Sequence, residues 1–141
     1  MKPRLNVVSL GVKNLNQSKS FYKKALGWEP TKDSDNNIVF FNHGGIILGL
    51  YPIDKLAEDA ELNPERSGFS GVTLAINLDT IEAVQELYDK VIKNGASSLV
   101  EPRKTFWGGF DAYFADPDGH AWEIVWAPFW KFDKQGNLLM E

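Results

Sequence analysis

Two stretches of this chain, Val8-Ser9-Leu10-Gly11-Val12 and Val72-Thr73-Leu74-Ala75-Ile76, match position by position in size and polarity. Each reads as a strand and each is followed by a helical pattern. After the first, Asn14 and Asn16 supply N-cap chemistry. Leu15, Phe21, Tyr22, Ala25 and Leu26 then recur at helical spacing until Gly27 ends the run. After the second, a helix is expected from Asp79 or Thr80, where Asp79 and Glu82 have the form of a capping box. Ile81, Val84, Leu87, Tyr88, Val91 and Ile92 make one apolar stripe that stops at Gly95. Each helix leads to a Glu-Pro pair, Glu29-Pro30 or Glu101-Pro102, and then to further strand-like runs.

The pattern predicts two copies of strand-helix-strand-strand-strand, an α+β domain of two βαβββ modules. Module one spans about residues 5–53 and module two about 69–127. A polar linker covers about 54–68, with a helical turn at Lys55 to Asp59, and a tail covers 128–141. A single helix covers only one face of a sheet. Two such units side by side are expected to form a curved mixed sheet with its helices on the convex face and a concave cleft opposite.

The run from Phe114 to Trp126 contains Asp116-Pro117-Asp118-Gly119, a tight turn between two alternating strands. In the second of these strands Glu123 places a carboxylate among aromatic residues. Ionised groups are rarely buried without partners, so Glu123 faces water or belongs to a site.

Composition narrows the function classes. A net charge of -4 argues against nucleic acid, which selects a basic face. No window approaches a membrane span of about 20 apolar residues, and the N-terminal residues lack a signal-peptide pattern. With no cysteine there is no disulfide, thiolate nucleophile or Cys-based metal site. The expectation is a cytoplasmic protein.

Leu10-Gly11-Val12-Lys13-Asn14-Leu15, Ser18, Phe21-Tyr22 and Leu26-Gly27-Trp28 form an opening signature, and Phe114 to His120 with Trp122-Glu123 a closing one. Together they resemble the vicinal oxygen chelate superfamily of glyoxalases, bleomycin-resistance proteins and extradiol dioxygenases. Trp107-Gly108-Gly109-Phe110 is similar to a glyoxalase-like branch of it. The resemblance implies four metal-ligand positions, which fall here on Val7, Gly49, Thr73 or Gly71, and Glu123. Only Glu123 is a ligand for a transition metal. His43 and His120 lie in turn contexts and do not rescue the set. No metal and no cofactor are expected.

Strand alternation puts Glu123 and Val125 on one face. By the family correspondence Val7, Ser9, Ile47, Gly49, Tyr51, Thr73, Ala75 and Asn77 join them. The alternate set, Val8, Leu10, Val12, Leu48, Leu50, Leu74, Ile76, Trp122, Ile124 and Trp126, is entirely apolar and suits burial under the helices. The candidate site is therefore Glu123 as the chemical group. Ser9, Tyr51, Thr73, Asn77, Trp107 and Tyr113 are its ligand-binding surroundings. The expected function is binding of a small flat or cationic organic molecule without a transition metal. The alternatives are a lyase or isomerase with Glu123 as general base, and a metal-dependent glyoxalase-like enzyme. The aromatic tail, Ala127 to Phe132, predicts a homodimer, unless that segment folds back on its own chain.

Overall fold

The computed structural model describes residues 1–140, which divide into two compact units, residues 1–70 and the residues from Gly71 onward. The first unit holds strand β1 (Val7–Val12), helix α1 (Leu15–Leu26), strands β2 (Val39–Asn42) and β3 (Ile47–Pro52), and helix α2 (Ile53–Asp59). The second holds β4 (Leu74–Asn77), α3 (Ile81–Lys93), β5 (Ser97–Lys104), β6 (Phe110–Ala115) and β7 (Ala121–Trp126), followed by a short hairpin of β8 (Lys131–Phe132) and β9 (Leu138–Leu139). The α+β class holds, with mixed sheets in both units. No helix among the described residues is long and apolar enough to cross a membrane.

The repeat is visible in the pairing. In the first unit β1 runs parallel to β3, and β2 is antiparallel to β3, in the order β1-β3-β2. In the second, β4 runs parallel to β7, and the order is β4-β7-β6-β5. Each unit thus pairs the first strand of its main sheet with the last strand of that sheet, and the helix makes the crossover that parallel neighbours require. Ser9 stands opposite Gly49, and Ala75 stands opposite Glu123.

The helices begin and end where local chemistry dictates. The Asn14 side chain accepts from the Gln17 N–H, and Gly27 closes α1 in the left-handed region at φ 71°. For α3 the cap is Thr80, whose hydroxyl accepts from the Ala83 N–H. Asp79 therefore lies one residue outside the cap, and the Asp79–Glu82 box does not form. Phe21, Tyr22 and Ala25 of α1 are buried, with Leu48 and Leu50 of β3 and Val39 and Phe41 of β2. Tyr22 stacks on Trp28 at 5.7 Å between ring centroids. Val84 and Val91 of α3 are fully buried with Ala112, Phe114 and Ile124. Trp122 stacks on Phe114 at 6.3 Å. The apolar strand face expected from alternation is thus the core face in each unit.

The two modules differ after their first helices. In the second unit the Glu101-Pro102 segment lies within β5, an edge strand, where the register with β6 shifts twice between Ser98 and Arg103. In the first unit the segment around Glu29-Pro30 is not a strand. It meets β2 through Thr31 N–H to the Phe40 carbonyl, and the Ser34 hydroxyl accepts from the Phe40 N–H. Proline has no N–H for a ladder and is tolerated only at edges and bulges. The expected third strand of module one is therefore replaced by a turn-rich segment, while the helical turn expected at Lys55 to Asp59 lies within helix α2.

The repeat also separates two glycines at neighbouring positions. A Cβ on Gly11 would lie 2.8 Å from Ile53 Cγ1 and 3.2 Å from Ile53 Cα, so α2 itself blocks it. A Cβ on Gly49 would meet only Ser9 Oγ at 3.4 Å and the Phe40 ring at 3.5 Å, which is ordinary contact. Urea denaturation should therefore show Gly11→Ala losing about 1–3 kcal/mol, as overpacking does, while Gly49→Ala stays within about 0.5 kcal/mol. Equal losses at the two positions would show the α2 packing to be wrong.

Candidate functional site

The β6–β7 hairpin is set by its turn. Asp116, nearly fully buried, accepts from the Asp118 and His120 N–H groups with one carboxylate oxygen, both at 2.9 Å. Gly119 takes φ 83°. This geometry fixes the pairing above it, with Tyr113 opposite Glu123 and Asp111 opposite Val125. On the next strand Arg103 stands opposite Asp111. Because side chains alternate, Asp111, Tyr113, Glu123 and Val125 share one face of this sheet.

These residues form a hydrogen-bonded cluster. Asp111 is only 4% exposed, and its Oδ1 accepts from Arg103 Nε at 3.3 Å, while the arginine side chain stays largely in water. Partial burial holds the Glu123 carboxyl above the ordinary carboxylate range, and a hydrogen bond with Asp111 pushes it further; bonding from Tyr113 and the charge of Arg103 oppose this. The Tyr113 hydroxyl is pushed up to about 12, first by burial and then by its hydrogen bond to Glu123. The arrangement offers two neighbouring carboxyl groups, a phenol and a guanidinium on one sheet face.

Among the residues read from sequence, Glu123 and Tyr113 are brought together. Thr73 and Asn77 flank Ala75, the β4 residue opposite Glu123, two positions to either side. Trp107 is placed otherwise. Its ring lies over Gly109, where a Cβ would collide with it, and packs against Phe129 and Trp130, each at 6.1 Å. The tail thus folds back on its own unit at this point. Ser9 and Tyr51 belong to the first unit, on β1 and β3, on the same face as Gly49. Asp111 and Arg103 are the members that the sequence reading missed. Asp111 carries the same mark as Glu123, an acid in an aromatic strand, and the turn residues give its partner by counting outward.

The pairing resolves which residue of module two occupies the remaining ligand position. Since Ser9–Gly49 corresponds to Ala75–Glu123, Val7 corresponds to Thr73 rather than Gly71. Valine and glycine side chains carry no donor atom, and a threonine hydroxyl is a poor ligand for a transition metal. No group of three or more His, Asp or Glu side chains able to hold a metal ion occurs among the described residues. The residues present do not fit the metal that the fold family implies.

The chain matches the sequence pattern of the Glyoxalase/Bleomycin resistance protein/Dioxygenase superfamily over residues 4–124, and it belongs to that superfamily. A crystal structure of a glyoxalase-related enzyme from Fulvimarina pelagi superimposes with a TM-score of 0.90 at 29% identity, covering 97% of each chain. Lactoylglutathione lyase from Agrobacterium tumefaciens shares the fold, with a TM-score of 0.68 at 20% identity over 92% of this chain and 97% of that one. Metallothiol transferase FosB from Shouchella clausii (strain KSM-K16) is 26% identical over 121 residues, 85% of this chain and 77% of that protein.

The acid pair has a consequence for stability. A carboxyl held above its ordinary value binds its proton more tightly in the folded state than in the unfolded one. The stability this contributes is complete below the unfolded value, near 4.5 for Glu123, and is lost as pH rises through the higher folded value. Denaturation of wild type and Glu123→Gln, run from about pH 4 to about pH 8, should show wild type losing stability relative to the variant as pH climbs. A difference that is flat, or that grows in favour of wild type, would show that the Glu123 carboxyl is not raised.

Proposed function

We propose that the protein binds a small organic molecule, flat or cationic, on the Glu123 face of the second unit, and does so without a transition metal. The observation that carries this reading is the placement of Asp111, Tyr113 and Glu123 on one face of the β6–β7 pair, with Arg103 bonded to Asp111. Two neighbouring carboxyl groups are acceptors for a cation or a strong hydrogen-bond donor. Membership of the superfamily supports the scaffold, on which binding proteins and enzymes alike are built. The chain then acts as one glyoxalase-like domain in a cytoplasmic homodimer.

A second reading is favoured by one specific observation, the raised position of Glu123. A carboxylate tuned upward is suited to take a proton from carbon or oxygen near neutral pH, which is the work of a lyase or isomerase base. The two readings part on turnover. A sequestering protein releases its ligand unchanged, whereas an enzyme loses turnover in Glu123→Gln by orders of magnitude while keeping its fold.

Calorimetry with a panel of planar organic cations, each beside a neutral counterpart such as benzamidinium beside benzamide, tests the proposal. The cations should bind more tightly, and Glu123→Gln should weaken them by about tenfold or more, the worth of a charge-assisted hydrogen bond. Equal binding of charged and neutral members, or retention of about one equivalent of Ni, Zn or Fe by protein purified without an affinity tag, would overturn it.

The dimer rests on apolar surface left in water. Phe106 is fully exposed, Phe129 is 58% exposed, and Leu139 and Met140 beyond it are exposed as well. Light scattering at ~50 µM, well above the dissociation constants of stable interfaces, should return twice the chain mass. A monomer mass there would refute the dimer.

A further inference from the structure

The C-terminal hairpin encloses a groove that the Glu123 cluster does not line. Its turn is held by Asp133, whose Oδ1 accepts from the Gln135 and Asn137 N–H groups and whose Oδ2 accepts from Asn137 Nδ2. Gly136 completes the turn at φ 84°. The hairpin is therefore a built element rather than a loose tail. Between it and the end of β4 lies a groove of about 650 Å³, walled by Asn77, Asp79, Trp130, Lys131, Phe132 and Lys134. That volume is in the range of small-molecule sites.

Three features of this wall narrow what it can hold. Asn77 Oδ1 is buried and has no hydrogen-bond partner among the described residues, although Asn77 lines the groove. A buried acceptor left unpaired costs free energy that an incoming N–H or O–H donor recovers. The charged groups of the lining are balanced, Asp79 and Asp133 against Lys131 and Lys134. An ion of a single sign is therefore attracted by one pair and repelled by the other. A molecule with both signs satisfies both. Trp130 and Phe132 add an aromatic surface against which an apolar side chain can pack.

We propose that this groove is a binding site for a small zwitterion of the α-amino-acid type. Its ammonium group bonds to Asn77 Oδ1 and faces Asp79. Its carboxylate faces Lys131 and Lys134. Its side chain lies against Trp130 and Phe132. The site goes beyond the Glu123 reading and stands or falls separately from it, since neither Glu123, Asp111 nor Tyr113 lines the groove.

The test uses the full chain and three probes that share one ring: L-phenylalanine, phenethylammonium, which lacks the carboxylate, and 3-phenylpropanoate, which lacks the ammonium. Nitrogen-15 NMR should show L-phenylalanine shifting the Trp130 indole and the amides of Asn77, Lys131 and Phe132, with each single-charge probe at least about tenfold weaker. Asn77→Leu should lose the L-phenylalanine response while Asn77→Asp, which keeps an acceptor, retains it. Lys131→Gln, at an exposed position, should weaken L-phenylalanine and leave phenethylammonium unchanged, which keeps the test decisive if Asn77→Leu unfolds. Equal binding of all three probes, or no shifts at these residues up to about 10 mM, would overturn the proposal.

Discussion

The parallel pairing of the first and last strands of the main sheet in each unit is the constraint on which the rest depends. Parallel neighbours cannot be joined by a tight turn, so a crossover element must lie between them, and α1 and α3 supply it. A helix in that place packs on one face of its sheet. This decides at once which strand residues become core, Leu48, Leu50 and Ile124 among them, and which do not. Glu123 lies in the alternate set of its strand. It is carried away from α3 by the same alternation that sends Trp122 and Ile124 into the core.

A carboxylate in the middle of a sheet costs several kcal/mol if it is desolvated without partners. Here the cost is met locally. Burial and the neighbouring Asp111 raise the Glu123 carboxyl above its ordinary range, the Tyr113 hydroxyl donates to it, and the Arg103 guanidinium pairs with Asp111. The tight turn at Asp116 is what makes this possible, because it sets the register that puts Tyr113 opposite Glu123 and Asp111 two residues away on the same face. The polar cluster and the aromatic core of the second unit are thus two sides of one hairpin.

How much of this was legible depended on whether the determining contacts were local. The repeat of Val8–Val12 in Val72–Ile76, the cap at Asn14 and the stop at Gly27 are local, and both modules and their core faces follow from them. The two-copy pattern calls for three strands after each helix, but the segment around Glu29-Pro30 adds no strand to the first unit, whereas Glu101-Pro102 lies in an irregular edge strand of the second. Thr80 displaced Asp79 as the cap of α3 by one residue, a choice between two good caps that spacing alone does not make. Asp111 lies near the start of its strand, and it joins Glu123 only when the hairpin register is counted outward from the turn. The neighbours of Trp107, Phe129 and Trp130, come from a tail more than twenty residues away, a contact no local pattern encodes.

Within the superfamily the chain belongs to, the meaning of Glu123 is set by what surrounds it rather than by its position alone. Val7, Gly49 and Thr73, which the family correspondence matches to metal-ligand positions, offer no strong metal donor. The Glu123 carboxyl is instead bonded to the Tyr113 hydroxyl and neighbours Asp111. A metal ion arriving at this carboxyl would have to break the phenol bond and remain with one strong protein ligand, against the three that a catalytic site usually supplies. An organic cation or donor faces a smaller demand, since it adds its own hydrogen bond and leaves the Tyr113 and Arg103 contacts in place. The proposed preference for ligands that bring hydrogen-bond donors follows from that difference.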